Sequence, residues 1–162
     1  MRKSQFPQSK TLQEYIETIK AYAYPELSEV GVLGTWKRIT SFAFVELGSS
    51  ITSTIRCNLV VKKWPEPALI GLLAHELSHI VQRNTSPDEQ NTDLDAISRG
   101  LGVYLAIERV YIGKYFDHVI RSGKDRYLGY QEIRSLLDGH EIEQLDALLE
   151  MLGMLPSLHN DM

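Results

Sequence analysis

Within AHELSHIVQ, residues Ala74 to Gln82, two histidines stand four residues apart, His75 and His79, with Glu76 directly after the first. On a helix a four-residue step is about one turn, so both imidazoles leave the same face. They can then occupy two corners of one tetrahedral metal site. Glu76 points about 100° round the helix, close enough to act as a base on a metal-bound water without being a ligand. The surrounding run, ALIGLLAHELSHIVQR (Ala68–Arg83), is apolar nearly all round, as a buried central helix is. Two histidines and a glutamate are costly in such a helix unless they are paired or coordinated.

A third ligand is the sharper test, and the carboxylates after His79 are Asp88, Glu89, Asp93 and Asp95. The first helix is expected to run about four residues past His79, to Arg83. Ser86, Pro87 and Glu89 have the order of a helix start: a capping Ser, Pro at the first helical position, Glu closing the box. If the two helices pack antiparallel, Glu89 returns to about the depth of His79, because both offsets are ~5–6 Å. Asp93 lies one turn further on the same face, nearer His75. A carboxylate there can accept the ring N–H that a metal-bound histidine must place somewhere. Asp88 and Asp95 fall on other faces and read as solvated charges in a first turn. The expected set is therefore Zn2+ on His75, His79 and Glu89, with Asp93 behind His75 and Glu76 as the base.

These residues need elements to position them. TLQEYIETIKAYAY (Thr11–Tyr24) reads as a helix: Thr11 and Glu14 have capping-box spacing, Leu12, Tyr15, Ile16 and Ile19 share a face, and Pro25 stops it. KRITSFAFVEL (37–47) and SITSTIRCNLVV (50–61) read as two strands joined around Gly48-Ser49-Ser50. The second alternates cleanly, with Ile51, Ser53, Ile55, Cys57, Leu59 and Val61 on one face, the pattern of an antiparallel or edge strand. After the metal helix, the helix begun near Ser86 should reach about Arg99, where Gly100 and Gly102 weaken it. Another is expected over Val103–Arg121. Two short ones follow, QEIRSLLDG and EIEQLDALLEMLG, each ending on a glycine suited to a helix C-terminus. Helix, strands, then many helices point to one α+β domain with a small antiparallel or mixed sheet.

Composition narrows the classes. The 162 residues fit one domain. A net charge of -4, with no basic run longer than Lys62–Lys63, argues against a nucleic-acid partner. No apolar stretch approaches the ~18 residues that span a membrane. The basic start MRKSQFPQSK lacks an apolar segment after it. The single cysteine, Cys57, makes neither an internal disulfide nor a thiolate-rich metal site. A cytoplasmic protein is the expectation.

His75-Glu76-Leu77-Ser78-His79, followed by Glu89-Gln90-Asn91-Thr92-Asp93, resembles the gluzincin metallopeptidases, most closely the small single-domain minigluzincins. Those proteins combine a zinc helix with a second helix carrying a Glu, three residues, then an Asp. The glycine and third histidine of a metzincin are not found; Thr85 stands where that histidine would fall. The resemblance implies a peptidase acting on a peptide or protein substrate, with Glu76 passing a proton from water to the leaving amine. It implies a Tyr, His or Arg that stabilises the oxyanion, for which His118, His140, Tyr127, Tyr130 and Arg99 are candidates. It implies that substrate adds as a strand to an exposed sheet edge, for which Ile51–Val61 is the best candidate. It also raises latency through the C-terminal tail, where His159 and Asp161 could plug the site. Two other readings stay open: a non-catalytic zinc-binding regulatory or interaction domain, and a metal-free helical adaptor with a chance motif.

Overall fold

The computed structural model describes residues 6–85, 88–116, 118–119 and 126–154. It is an α+β fold in which a three-stranded mixed sheet precedes a largely helical remainder. Helix α1 (Leu12–Ala23) opens with the expected Thr11–Glu14 capping box, and its Leu12, Tyr15, Ile16 and Ile19 are buried.

The sheet departs from the two strands expected. It has three: β1 (Gly31–Lys37), β2 (Ala43–Leu47) and β3 (Thr52–Asn58), in the order β1-β3-β2. β1 runs parallel to β3, with Val32 opposite Ser53, and β2 runs antiparallel to it, with Val45 opposite Ile55. The strand within Ile51–Val61 is therefore central, which corrects its assignment to an exposed edge. The alternation itself holds, since Ser53, Ile55 and Cys57 are the buried residues. A one-sided strand with polar alternate positions reads the same in the middle of a sheet whose other face meets solvent. Asn58 then turns the chain out of the sheet: its side chain accepts from Val60 N–H, and Leu59–Lys63 form a short 3-10 helix.

The two outer strands differ in how their free sides are treated. On β1, the Gln13 side chain of α1 donates to Val32 C=O at 2.8 Å and accepts from Gly34 N–H at 2.9 Å, completing that edge as a neighbouring strand would. On β2, no further strand pairs among the described residues.

Helix α2 (Glu66–Val81) carries the HELSH stretch and is buried on nearly every side. It packs against α1, β2, α3 and, most extensively, α4. Its rotation is fixed by Tyr24, whose buried hydroxyl donates to Ala74 C=O at 2.8 Å and lies 2.8 Å from Ser78 Oγ. The approach of α4 requires Gly71, where a Cβ would stand 2.2 Å from Tyr104 O and 2.9 Å from Glu108 Cβ.

Helix α3 (Glu89–Ala96) is capped by Asp88, which accepts from Asn91 N–H at 2.7 Å. Ser86 and Pro87, expected to start this helix, lie outside the described residues. A wide turn at Ile97–Leu101, with Gly100 at φ 83°, follows three residues earlier than the expected end at Arg99. Helix α4 (Gly102–Tyr111) stops well short of Arg121. Gly113 (φ 79°) closes it: Gly113 N–H donates to Val110 C=O and Lys114 N–H to Arg109 C=O, the paired bonds of a glycine-ended helix. Two short antiparallel strands, β4 (His118–Val119) and β5 (Arg126–Tyr127), come next.

Helix α5 (Tyr130–Ser135) precedes α6 (Gly139–Leu152). Gly139 begins α6 instead of ending α5, because Asp138 and Glu141 form a capping box across it; Gly153 (φ 69°) ends α6 as expected. No helix of the described residues is long and apolar enough to cross a membrane.

The contrast between two glycines is testable. Gly71→Ala should destabilise the protein by about 1–3 kcal/mol or more, since backbone must move to admit the methyl. Gly139→Ala, with nothing within 4 Å of the new Cβ, should be neutral or stabilise by up to ~1 kcal/mol. Urea unfolding of the two variants measures both.

Candidate metal centre

Helices α2 and α3 bring His75, His79 and Glu89 together. One donor atom from each lies within 4.8 Å of the other two. Glu89 Oε2 is 2.7 Å from His75 Nε2 and 3.2 Å from His79 Nε2. Donors ~2.0–2.1 Å from a tetrahedral cation stand about 3.3 Å apart. The His79–Glu89 distance is close to that spacing, and the His75–Glu89 distance must open to reach it. Glu89 reaches this place as the first residue of α3, capped by Asp88, not as the third residue after Ser86 as the depth argument assumed. Its position depends on how α3 returns along α2, which the pairing of Thr92 Oγ1 with Gln82 Oε1 at 3.1 Å reinforces.

Asp93, four residues on, lies 2.7 Å from His75 Nδ1. It is wholly buried. Its oxygens also accept from Arg109 Nη2 at 3.0 Å, Arg109 Nη1 at 3.1 Å and Leu128 N–H at 2.9 Å. Burial alone would raise its pKa, but Arg109 and His75 hold the carboxyl below its usual range. His75 is thus gripped through Nδ1 and presents Nε2 to the cluster, the arrangement that fixes a ligating imidazole.

The same contacts set protonation. Ionised carboxylates only accept hydrogen bonds, so a ring with Asp93 on one nitrogen and Glu89 on the other is held best as the cation. Burial works against that charge, yet Asp93 and Glu89 more than offset it, and the His75 pKa is pushed up to about 10. Burial would raise Glu89 too, but the two histidines hold it well below the ordinary carboxylate value.

Glu76 is buried and outside the cluster. Burial raises its carboxyl pKa, with His75 and His79 pulling the other way. Glu76 lines two neighbouring spaces. One is a groove of about 520 Å³ bordered by β2, His79, Gln82, Arg83 and Glu89. The other is a cavity of about 240 Å³ between α2 and α4. Ser41, Ala43, Glu76 and Tyr127 line both.

Of the five oxyanion candidates, the structure brings Tyr127 to the site. Its ring centroid is 5.5 Å from that of His75, and Arg109 Cζ is 5.4 Å from it. Burial and the surrounding carboxylates raise its hydroxyl pKa. Arg99 instead ties Ala23 C=O, Glu26 and Asp95 together over the Tyr24 ring. Tyr130 is buried and bonds Arg134. His140 is exposed in the first turn of α6. The His118 side chain, His159 and Asp161 lie outside what is described.

Two residues of the site escaped the sequence reading, Glu108 and Arg109. Both are buried. Their signal was present: charges within GVYLAIERVY are as costly as those in α2 unless they meet partners.

Glu89→Ala should abolish tight metal uptake. Asp93→Asn should weaken uptake ~10–100-fold and also cost about 3–5 kcal/mol of stability, because Arg109 is left buried and half-paired. Equal uptake by Glu89→Ala and the parent would overturn the cluster assignment. The pH dependence has a definite sign. With its pKa raised to about 10, His75 is protonated in metal-stripped protein at neutral pH, while Glu89 and Asp93 are already ionised. Metal uptake should therefore release about one proton, and apparent affinity should rise roughly tenfold per pH unit up to about pH 10. Calorimetry in two buffers of different ionisation enthalpy counts that proton.

Comparison with protein-family models, with curated proteins and with solved structures returned no match. The functional reading therefore rests on the chemistry of the His75–His79–Glu89 cluster and of Glu76 beside it.

Proposed function

We propose that this chain is a zinc-dependent peptidase. The observation that carries the reading is Glu76: a buried carboxylate outside the three-donor cluster, one residue from His75, on the wall shared by the groove and the cavity. A cluster that only pinned α2 to α3 would have no use for an acid there. A purely structural zinc site is also usually closed by four protein ligands, and the described residues offer three. The HELSH and Glu89–Asp93 spacings, which resemble those of gluzincins, point the same way. These two features weigh against the alternative of a non-catalytic zinc-binding domain.

In this reading His75, His79 and Glu89 would hold the ion, and Asp93 keeps His75 oriented. Zinc supplies the positive charge that makes a water nucleophilic near neutral pH and polarises the peptide carbonyl. Glu76 would act as the base that takes a proton from the attacking water and returns it to the leaving amine. Tyr127, against His75, is the group placed to stabilise the developing oxyanion. The substrate backbone adds along β2, the outer strand that borders the groove. This moves the docking edge from β3 to β2.

Glu76→Gln separates the readings. It keeps the size of the side chain but removes the base. Zinc content and melting temperature should stay near those of the parent, while peptide hydrolysis falls ~10²–10⁴-fold or further. The assay uses unstructured peptide libraries on zinc-loaded protein, with residues 155–162 present and deleted. If neither form cleaves any peptide above the Glu76→Gln background, the peptidase reading fails and the metal cluster alone remains.

A further inference from the structure

The cavity of about 240 Å³ beside the cluster has a feature that the reaction above does not use. Leu72, Phe42, Ile112 and Tyr127 give it apolar walls, and Glu108 of α4 also lines it. Glu108 is 3% exposed. Its Oε1 accepts no hydrogen bond among the described residues. Arg109 Nε lies 2.9 Å away, but off the line a hydrogen bond needs. The rest of that guanidinium is committed, Nη1 and Nη2 to Asp93 and Nη1 also to Leu128 C=O. A Leu or Met at this position would fill the same space without desolvating a charge.

Gly71 sharpens the point. The close approach it permits sets Glu108 Cβ against α2, one turn from the face that carries His75. The titratable groups facing the cavity are His75, Glu76, Glu108, Arg109, Lys114 and Tyr127. Arg109 is shared between Asp93 and Glu108, so one guanidinium serves two buried carboxyl groups and Glu108 Oε1 still lacks a hydrogen bond among the described residues. An apolar shaft with a carboxylate at its wall matches a side chain with a methylene stem and a cationic end.

We infer that this cavity receives a lysine or arginine side chain of the substrate, flanking the scissile bond, with Glu108 as the residue that selects it. The inference rests on the peptidase reading. A peptide along β2 passes Ser41 and Ala43, which line both groove and cavity, so one of its side chains can enter while its backbone stays at Glu76.

The test compares alanine-based octapeptides carrying Arg, citrulline, Leu or Asp at one position, on zinc-loaded protein. Citrulline keeps the shape of Arg and removes the charge, so the comparison does not depend on any variant folding. At one position beside the cut, kcat/KM for Arg should exceed that for citrulline by about 10–100-fold, the value of a hydrogen bond to a charged group. Glu108→Gln should bring that ratio to about one. Cleavage with a ratio near one in the parent, or a preference for Leu or Asp, overturns the pocket and leaves the peptidase reading standing. If nothing is cleaved, the peptidase reading fails, and calorimetry of the same peptides with zinc-loaded Glu76→Gln protein decides the pocket. Arg-selective binding that is lost on adding Glu108→Gln supports it. Equal binding of Arg and citrulline, or no binding, overturns it.

Discussion

The carboxylate of Asp93 is the contact on which the site depends. It is fully buried and meets four donors: His75 of α2, both terminal nitrogens of Arg109 on α4, and the backbone N–H of Leu128 ahead of α5. A lone carboxylate in such a place would be expelled or protonated. Here the surrounding donors and charges keep it ionised. One side chain on α3 thus binds three other segments, and the bond that orients His75 belongs to the same network that packs the helices. The orientation of His75 and the packing of the helices cannot be adjusted separately.

Around this point the fold shields one sheet edge and leaves the other to the site. Gln13 of α1 completes β1. β2 borders the groove that runs past His79 and Glu89 to Glu76. An uncovered strand edge is an aggregation liability, and β2 is short, five residues with Glu46 among them. The cavity that shares Ser41, Ala43, Glu76 and Tyr127 with the groove is lined by residues of both α2 and α4. The position of Glu108 is therefore set by Gly71, a residue with no side chain of its own, one turn from His75.

Local patterns were legible in the chain itself. The four-residue step from His75 to His79, the Thr11–Glu14 capping box, the alternation of Ser53, Ile55 and Cys57, and the terminal Gly153 each concern neighbours within one or two turns. Steric and hydrogen-bonding preferences at that range act whatever the rest of the molecule does. The spacing of Glu89 and Asp93 also survived a misplaced cap, because a rigid helix preserves the offset between two residues wherever it starts.

Long-range contacts decided the rest. β1 carries two glycines and only one fully buried residue, so its place beside β3 had no strong periodic mark. That pairing is what makes β3 central and β2 the outer strand at the groove. α4 ended ten residues before Arg121 because Gly113 adopts a left-handed turn, a choice open to glycine at any of several positions. Tyr127 was indistinguishable in sequence from Tyr130 until the chain after α4 folded back over His75. Glu108 and Arg109 looked like an ordinary charged pair until α4 closed on α2 and α3. Sequence alone determined which residues could hold a metal and which could serve as a base, because those depend on side-chain type and helical period. Which edge, which tyrosine and which buried acid face them depends on pairings between segments distant in the chain, whose energies no local pattern records.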